Sequence, residues 1–246
     1  FPTAHKLTLF PYVRVKPANG VLLNMRVKLV GSPLLLLTDF MFICNDCPRK
    51  CNVQRKALAD IGKGFCNMGK NPVIARADLH FWEEPPISGD KGSGTIFFSG
   101  CNLQCIYCQN HKISRGEFGK EITVEELKNI YHQLIEKGAH NINLVTGTHF
   151  VNAIIESLSD PIPVPVVYNC GGYESIDTLK RLDGKIDIYL PDLKYSDNNL
   201  AIKYSKASNY FEIATSAILE MYRQTGDYLM DEDGLMKKGV IIRHLI

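Results

Sequence analysis

The spacing of apolar and polar positions changes character along the chain. Residues 41–80 hold short apolar runs broken by cysteines, and residues 81–94 read as a loop, with Pro85-Pro86, Gly89, Gly92 and Gly94. From Thr95 onward strand-like runs alternate with helical periodicity. Thr95–Ser99 is a short β-rich run. Thr123–Lys137 is the clearest helix: Thr123 and Glu126 form a capping box, Val124, Leu127, Ile130, Tyr131, Leu134 and Ile135 recur on one face, and Gly138 ends it. The pattern then predicts a strand over Asn141–Thr146, a helix over Phe150–Leu158, a strand over Val164–Tyr168 and a helix over Ser175–Leu182. A strand over Ile186–Leu190, one long helical stretch over Asn199–Gln224 and a last strand over Val240–Leu245 complete the series. Strands separated by helices argue for parallel βαβ units, hence an α/β fold. The series stops on its fifth strand with no helix after it, so the C-terminus is expected to be truncated.

Residues 1–40 differ from the rest. No motif falls there, the chain begins with Phe1, and Met41 stands three residues before the first cysteine. The expectation is a native start at Met41, with 1–40 an unassigned extension; the alternative is a genuine β-rich arm. The expected division is therefore 1–40, a cysteine-rich metal-binding module over 41–80, and a core domain over 81–246.

Composition narrows the class. The 246 residues are 45% hydrophobic and 22% charged, ordinary for a globular protein, and the net charge of +2 comes without the basic stripe of a nucleic-acid binder. The best apolar run, Leu34–Leu37, is too short to cross a bilayer, and nothing resembles a secretory signal. The expectation is a cytoplasmic protein that engages neither nucleic acid nor membrane.

Cysteine spacing carries the chemistry. Seven of the eight cysteines fall into two close groups, Cys44/Cys47/Cys51/Cys66 and Cys101/Cys105/Cys108. Cysteines this close are poorly placed to bridge one another and well placed to share a metal. Cys101–Cys108 reads C-x3-C-x2-C directly after a strand. Three thiolates bind three irons of a cubane and leave the fourth open, the mark of a site that takes a ligand. The vacancy suits the amino and carboxylate groups of S-adenosylmethionine (SAM). A three-thiolate zinc site with a distant fourth ligand, or inert thiols, are the alternatives. Cys44, Cys47, Cys51 and Cys66 supply four thiolates, the number for a closed site, either zinc or a second Fe–S cluster. Pro48 and Arg49 suit a tight knuckle, and Arg49 is placed to donate to a thiolate sulfur. The module has too little apolar content to fold unaided, so metal is expected to fold it. Cys170 reads as a small buried hydrophobe.

The segment from Ser88 to Asn110, with Ser93-Gly94-Thr95-Ile96-Phe97-Phe98-Ser99-Gly100-Cys101, closely resembles radical SAM proteins related to pyruvate formate-lyase activating enzyme. Cys44-Asn45-Asp46-Cys47-Pro48-Arg49-Lys50-Cys51 resembles the C-x2-C-P-R-x-C of an uncharacterised branch of that family. The likeness runs from about residue 41 to the end. It implies a partial (β/α)6 TIM-type barrel with a [4Fe–4S] cluster and SAM at the C-terminal ends of the strands. It places Tyr107 and Asn110 beside the adenine and the cluster loop. Thr146, Gly147 and Thr148 would meet the SAM amino group without the acidic residue that relatives often carry. Asn169 ends the third strand. Asp192 and Lys194 match a D-x-K expected near the SAM carboxylate and ribose, and Arg243 and His244 lie on the fifth strand. A weak surface ion pair is the alternative for Asp192 and Lys194, as a satisfied core or loop histidine is for His149 and His244.

The resemblance implies an enzyme that reductively cleaves SAM to a 5′-deoxyadenosyl radical and takes a hydrogen atom from a glycyl-radical enzyme, with a donor such as flavodoxin or ferredoxin. The rivals are the same chemistry on another peptide or a small molecule, and a non-catalytic Fe–S or zinc protein used in binding or electron transfer.

Overall fold

The computed structural model describes residues 42–55 and 64–244. The expected extension over 1–40 lies outside them.

The first elements are a small antiparallel pair, β1 (Phe42–Cys44) and β2 (Val53–Arg55), in which Cys44 faces Val53. Strand β3 (Val73–His80) follows, then a four-residue helix α1 (Pro85–Ser88) and strand β4 (Ser93–Phe98). Helix α2 (His111–Ser114) and the short strand β5 (Lys120–Glu121) lead to helix α3 (Val124–Glu136). The capping box is present as the sequence predicts: Thr123 Oγ1 accepts from the Glu126 amide, and Glu126 accepts from the Thr123 amide. Next come β6 (Ile142–Val145), α4 (Val151–Ser157), β7 (Val166–Cys170), α5 (Ile176–Leu182) and β8 (Ile188–Pro191). Helices α6 (Asn198–Ser205) and α7 (Tyr210–Thr225) and strands β9 (Leu229–Met230) and β10 (Met236–Val240) follow.

One sheet organises these elements, in the order β5-β3-β4-β6-β7-β8-β10-β9. The strands β4, β6, β7, β8 and β10 run parallel, while β3 and β9 flank them antiparallel. This is the α/β arrangement of a partial barrel. Alternation along each strand separates two layers. Ile96, Phe98, Leu144, Tyr168 and Tyr189 belong to the large core that also includes Leu127 and Leu134 of α3, Leu179 of α5 and Met221 of α7. Val167, Ile188 and Leu190 point the other way and close on Ile87 of α1 and Met236. The segment 81–92 thus enters the concave side of the sheet, where the sequence reads only a loop.

Two further expectations need revision. The long helix over Asn199–Gln224 is two helices, because Lys206 and Asn209 both adopt left-handed backbone, with φ of +50° and +51°. The apolar spacing continues across the break, since Ala207 is buried like its helical neighbours, so periodicity alone could not reveal it. The last strand is Met236–Val240 rather than Val240–Leu245, with one further parallel bridge between Asp192 and Arg243. Among the described residues no helix is long and apolar enough to cross a membrane.

The cysteine-rich segment is sewn to the barrel. Asp46 is buried; its carbonyl accepts from Thr178, and its carboxylate takes Asn152 at 3.0 Å and Arg181 at 2.9 Å. Residues 73–80, expected in the module, are β3 of the main sheet.

Candidate active site

Strand β4 delivers the cysteine loop. Its chain leaves the sheet through Ser99 and Gly100 and turns into Cys101–Cys108. Gly100 has φ +82°, and a Cβ there would lie 2.6 Å from the Cys66 carbonyl oxygen, so only glycine lets the two cysteine segments touch. Gln104, itself left-handed at φ +52°, donates to the Phe65 carbonyl at 2.6 Å, and Asn102 donates to the Tyr173 carbonyl at 2.6 Å. The loop is therefore held from two sides by backbone acceptors.

Cys101, Cys105 and Cys108 line a cavity of about 660 Å³ on the concave side of the sheet. Tyr107, Asn110, Thr146, Asn169, Asp192, Lys194 and Arg243 share its wall. The structure thus gathers most of the residues that the sequence singles out, from the ends of four different strands and one loop. All eight cysteines are free of disulfides. Burial pushes the Cys101 thiol up to about 11, so a bare thiolate there is unfavourable without a cation to bind it.

Thr146 is a β-branched residue at φ +60°, an uncommon and costly conformation on the cavity wall, where strain of this kind accompanies function. Gly147 and Thr148 are not on that wall. Thr148 is buried, and its hydroxyl donates to Glu174 at 2.7 Å. His149 is a core histidine: its Nε2 meets the Ser99 carbonyl at 2.7 Å, and burial lowers its pKa to about 3. His244 is exposed and meets the Leu193 carbonyl. Cys170 is buried in the main core, as its hydrophobic reading expects.

Asp192 and Lys194 form no loose surface pair. Their side chains are 15% and 16% exposed and meet at 2.5 Å. Burial alone would lower the lysine pKa; the Asp192 carboxylate outweighs it and the pKa is raised. Arg243 sits between three partners, with Nη1 2.9 Å from Glu83, Nη2 2.6 Å from Asn169 and Nε 2.9 Å from Asp192.

Glu83 is the residue that sequence reasoning missed. It reaches into the cavity from the segment before α1 and accepts from Asn143 at 3.1 Å and Asn169 at 2.9 Å. Burial first, and the adjoining Glu84 carboxyl second, push its pKa up to about 7 against the pull of Arg243. Glu174 is likewise pushed up to about 7 by burial. Neither glutamate lies in a motif, so no local pattern could have announced it.

The second cysteine group lies behind the loop, off the cavity wall. Cys44, Cys47 and Cys66 are buried, and burial pushes Cys47 up to about 12. The thiols sit close enough to oppose one another's ionisation, Cys44 and Cys66 acting on Cys47, and Cys51 on Cys66. The Phe65 amide donates to Cys51 Sγ at 3.4 Å. Arg49 does not donate to a thiolate, as the sequence suggested. Its guanidinium donates to the carbonyls of Asn102, Ser205 and Lys206 and lies 3.7 Å over the Phe65 ring. Arg55 takes the expected role, donating to Cys66 Sγ at 3.0 Å. Among the described residues no three His, Cys, Asp or Glu converge as ligands of a single ion do. Thiolates that each hold a different iron need not converge on a point.

A concave parallel sheet with three free thiols at the head of its strand-end cavity defines the class, and comparison agrees. The chain belongs to the radical SAM superfamily, whose family profile matches residues 95–226. It is 33% identical over 214 residues to the uncharacterized protein MJ0674 of Methanocaldococcus jannaschii, covering 82% of this chain and 56% of that protein. It is 26% identical over 165 residues to a pyruvate formate-lyase-activating enzyme of Staphylococcus epidermidis, covering 61% of this chain and 60% of that enzyme. The chain thus spans somewhat over half the length of these relatives. The superfamily implies a [4Fe–4S] cluster and SAM.

Proposed function

We propose that Cys101, Cys105 and Cys108 hold the [4Fe–4S] cluster, that SAM binds in the adjoining cavity, and that the protein takes a hydrogen atom from a glycine of a glycyl-radical enzyme. The observation that carries the reading is the meeting of these three thiols with Asp192, Lys194, Asn169 and Arg243 around one cavity. Bound there, the cluster would supply one electron and SAM the hydrogen-abstracting group. This chain's residues would orient and confine the ligand. Lys194, held by Asp192, offers a cation to the SAM carboxylate. Arg243, held on three sides, is a fixed donor at the cavity wall, and Tyr107 and Asn110 wall the side next to the cluster loop. The choice of a glycyl-radical partner is supported by the similarity to a pyruvate formate-lyase-activating enzyme. The electron donor is a small one-electron carrier such as flavodoxin or ferredoxin.

A second centre on Cys44, Cys47, Cys51 and Cys66 belongs to the same proposal. Three buried thiols, with half-buried Cys51 beside Cys66 and Arg55 donating to Cys66, support it.

The test is anaerobic reconstitution. Expected are a [4Fe–4S] signal that changes with SAM, release of 5′-deoxyadenosine, and a glycyl-radical doublet on an added partner. Deoxyadenosine without the doublet on any glycyl-radical enzyme would move the substrate to another peptide or a small molecule. No SAM response would refute the site.

A further inference from the structure

The cysteine loop carries a hydrogen-bond chain that none of the roles assigned above uses. Ser205, the last residue of α6, is buried and places its hydroxyl 2.9 Å from Cys105 Sγ. The same oxygen lies 2.6 Å from the Tyr195 hydroxyl, which lies 2.6 Å from the Tyr107 hydroxyl. A cluster-bound thiolate can only accept. Ser205 has one proton, so it donates to Cys105; Tyr195 must then donate to Ser205, and Tyr107 to Tyr195. All three protons point toward the sulfur, and such chains strengthen one another.

The end of α6 is fixed in place to present this hydroxyl. Arg49, from the Cys-Pro-Arg motif, donates to the Ser205 and Lys206 carbonyls, and the Ile106 amide of the cysteine loop donates to the Tyr204 carbonyl at 2.9 Å. The far end of the chain, Tyr107, is half-exposed and lines the cavity.

We infer that Tyr107, Tyr195 and Ser205 form a relay that raises the reduction potential of the cluster through Cys105. Hydrogen bonds to ligand sulfur stabilise the more negative, reduced state. The relay is a positioning device, and it rests on the proposed function, since it needs a cluster on Cys105.

The experiment is an EPR-monitored redox titration of the reconstituted full chain and its variants, after iron content has been matched. Ser205→Ala should lower the ratio of reduced to oxidised cluster at a fixed poise by about threefold to tenfold, the larger figure being about 59 mV for one electron. Tyr195→Phe should lower it less, and Tyr107→Phe least. Ser205→Thr, which keeps the hydroxyl, should restore most of the ratio. If Ser205→Ala loses iron, Tyr195→Phe decides, because it removes only an oxygen. Ratios within experimental error of wild type in Ser205→Ala and Tyr195→Phe overturn the relay, as does a Thr variant that falls as far as Ala. A wild-type chain with no SAM-responsive cluster overturns the functional reading and the relay with it; intact wild-type behaviour with unshifted variants overturns the relay alone.

Discussion

The two cysteine groups use the same residue in opposite settings. Cys101, Cys105 and Cys108 stand on the wall of a cavity of about 660 Å³, among polar and charged side chains from four strand ends. Cys44, Cys47, Cys51 and Cys66 are off that wall, closed in by Arg55, the Phe65 amide and the barrel helices that hold Asp46. Three thiols beside an open cavity suit a centre that takes a ligand, and four thiols set off that cavity against protein groups suit a centre that takes none. Both groups share gaps of two and three residues; the second adds a fourth thiol, Cys66, brought in from further along the chain, and differs in its surroundings. The two are also in contact, through Gly100 against Cys66, Gln104 on Phe65 and Arg49 on Asn102.

The sharpest break in the comparison is removal of the open group. Changing Cys101, Cys105 and Cys108 together to Ala should abolish deoxyadenosine formation and the SAM-responsive signal altogether. Metal analysis of that variant then reports on the closed group alone. Residual iron near four per chain supports a second cubane, about one zinc supports a structural ion, and no metal refutes the closed centre.

Removal of the closed group should come next in size. Cys47→Ser with Cys51→Ser should disorder residues 44–55 and 64–66. Because that segment holds Gln104 and Asn102, the cluster loop should lose most of its iron as well. Full retention of a SAM-responsive cluster in this variant would mean that the two regions are independent in spite of their contacts.

Within the open region, Glu83 gives a pH signature. Its folded pKa of about 7 lies above its ordinary value of 4.5, so the folded state holds the proton more tightly. That stability is fully present below about pH 4.5 and is lost as pH rises through about 7. The loss is about 3 kcal/mol at 1.36 kcal/mol per pKa unit. Glu83→Gln should flatten this part of the fall in thermal melts between pH 4.5 and 8. A variant with the parent's slope would show that Glu83 ionises normally beside Arg243.

Smaller still, Asp192→Ala and Lys194→Ala should each weaken SAM binding about tenfold, or about 1.4 kcal/mol, while iron content stays unchanged. Unchanged affinity in calorimetry would reduce the pair to a structural role. The smallest effect belongs to a control far from both regions. Thr123→Ala removes the cap of α3 and should cost about 1 kcal/mol in denaturant melts without altering iron or SAM response.

Short-range features were legible in the residues alone. The capping box of α3 and the strand-to-cysteine spacing of Cys101–Cys108 depend on residues within a few positions of one another, so they were legible. The same holds for the D-x-K of Asp192 and Lys194 and for the βα alternation. Tertiary structure decided what depends on distant segments meeting. Glu83 became a cavity residue only because the chain before α1 turns into the concave face and finds Asn143, Asn169 and Arg243 there. Thr148 and His149 sit beside the cavity-wall residue Thr146 in sequence, yet the chain turns away from the cavity after it and buries both. Arg49 and Arg55 look alike in a cysteine-rich stretch. Which one meets a sulfur was settled by where the α6 end places its carbonyls, since a guanidinium goes to the acceptors that its fork can reach.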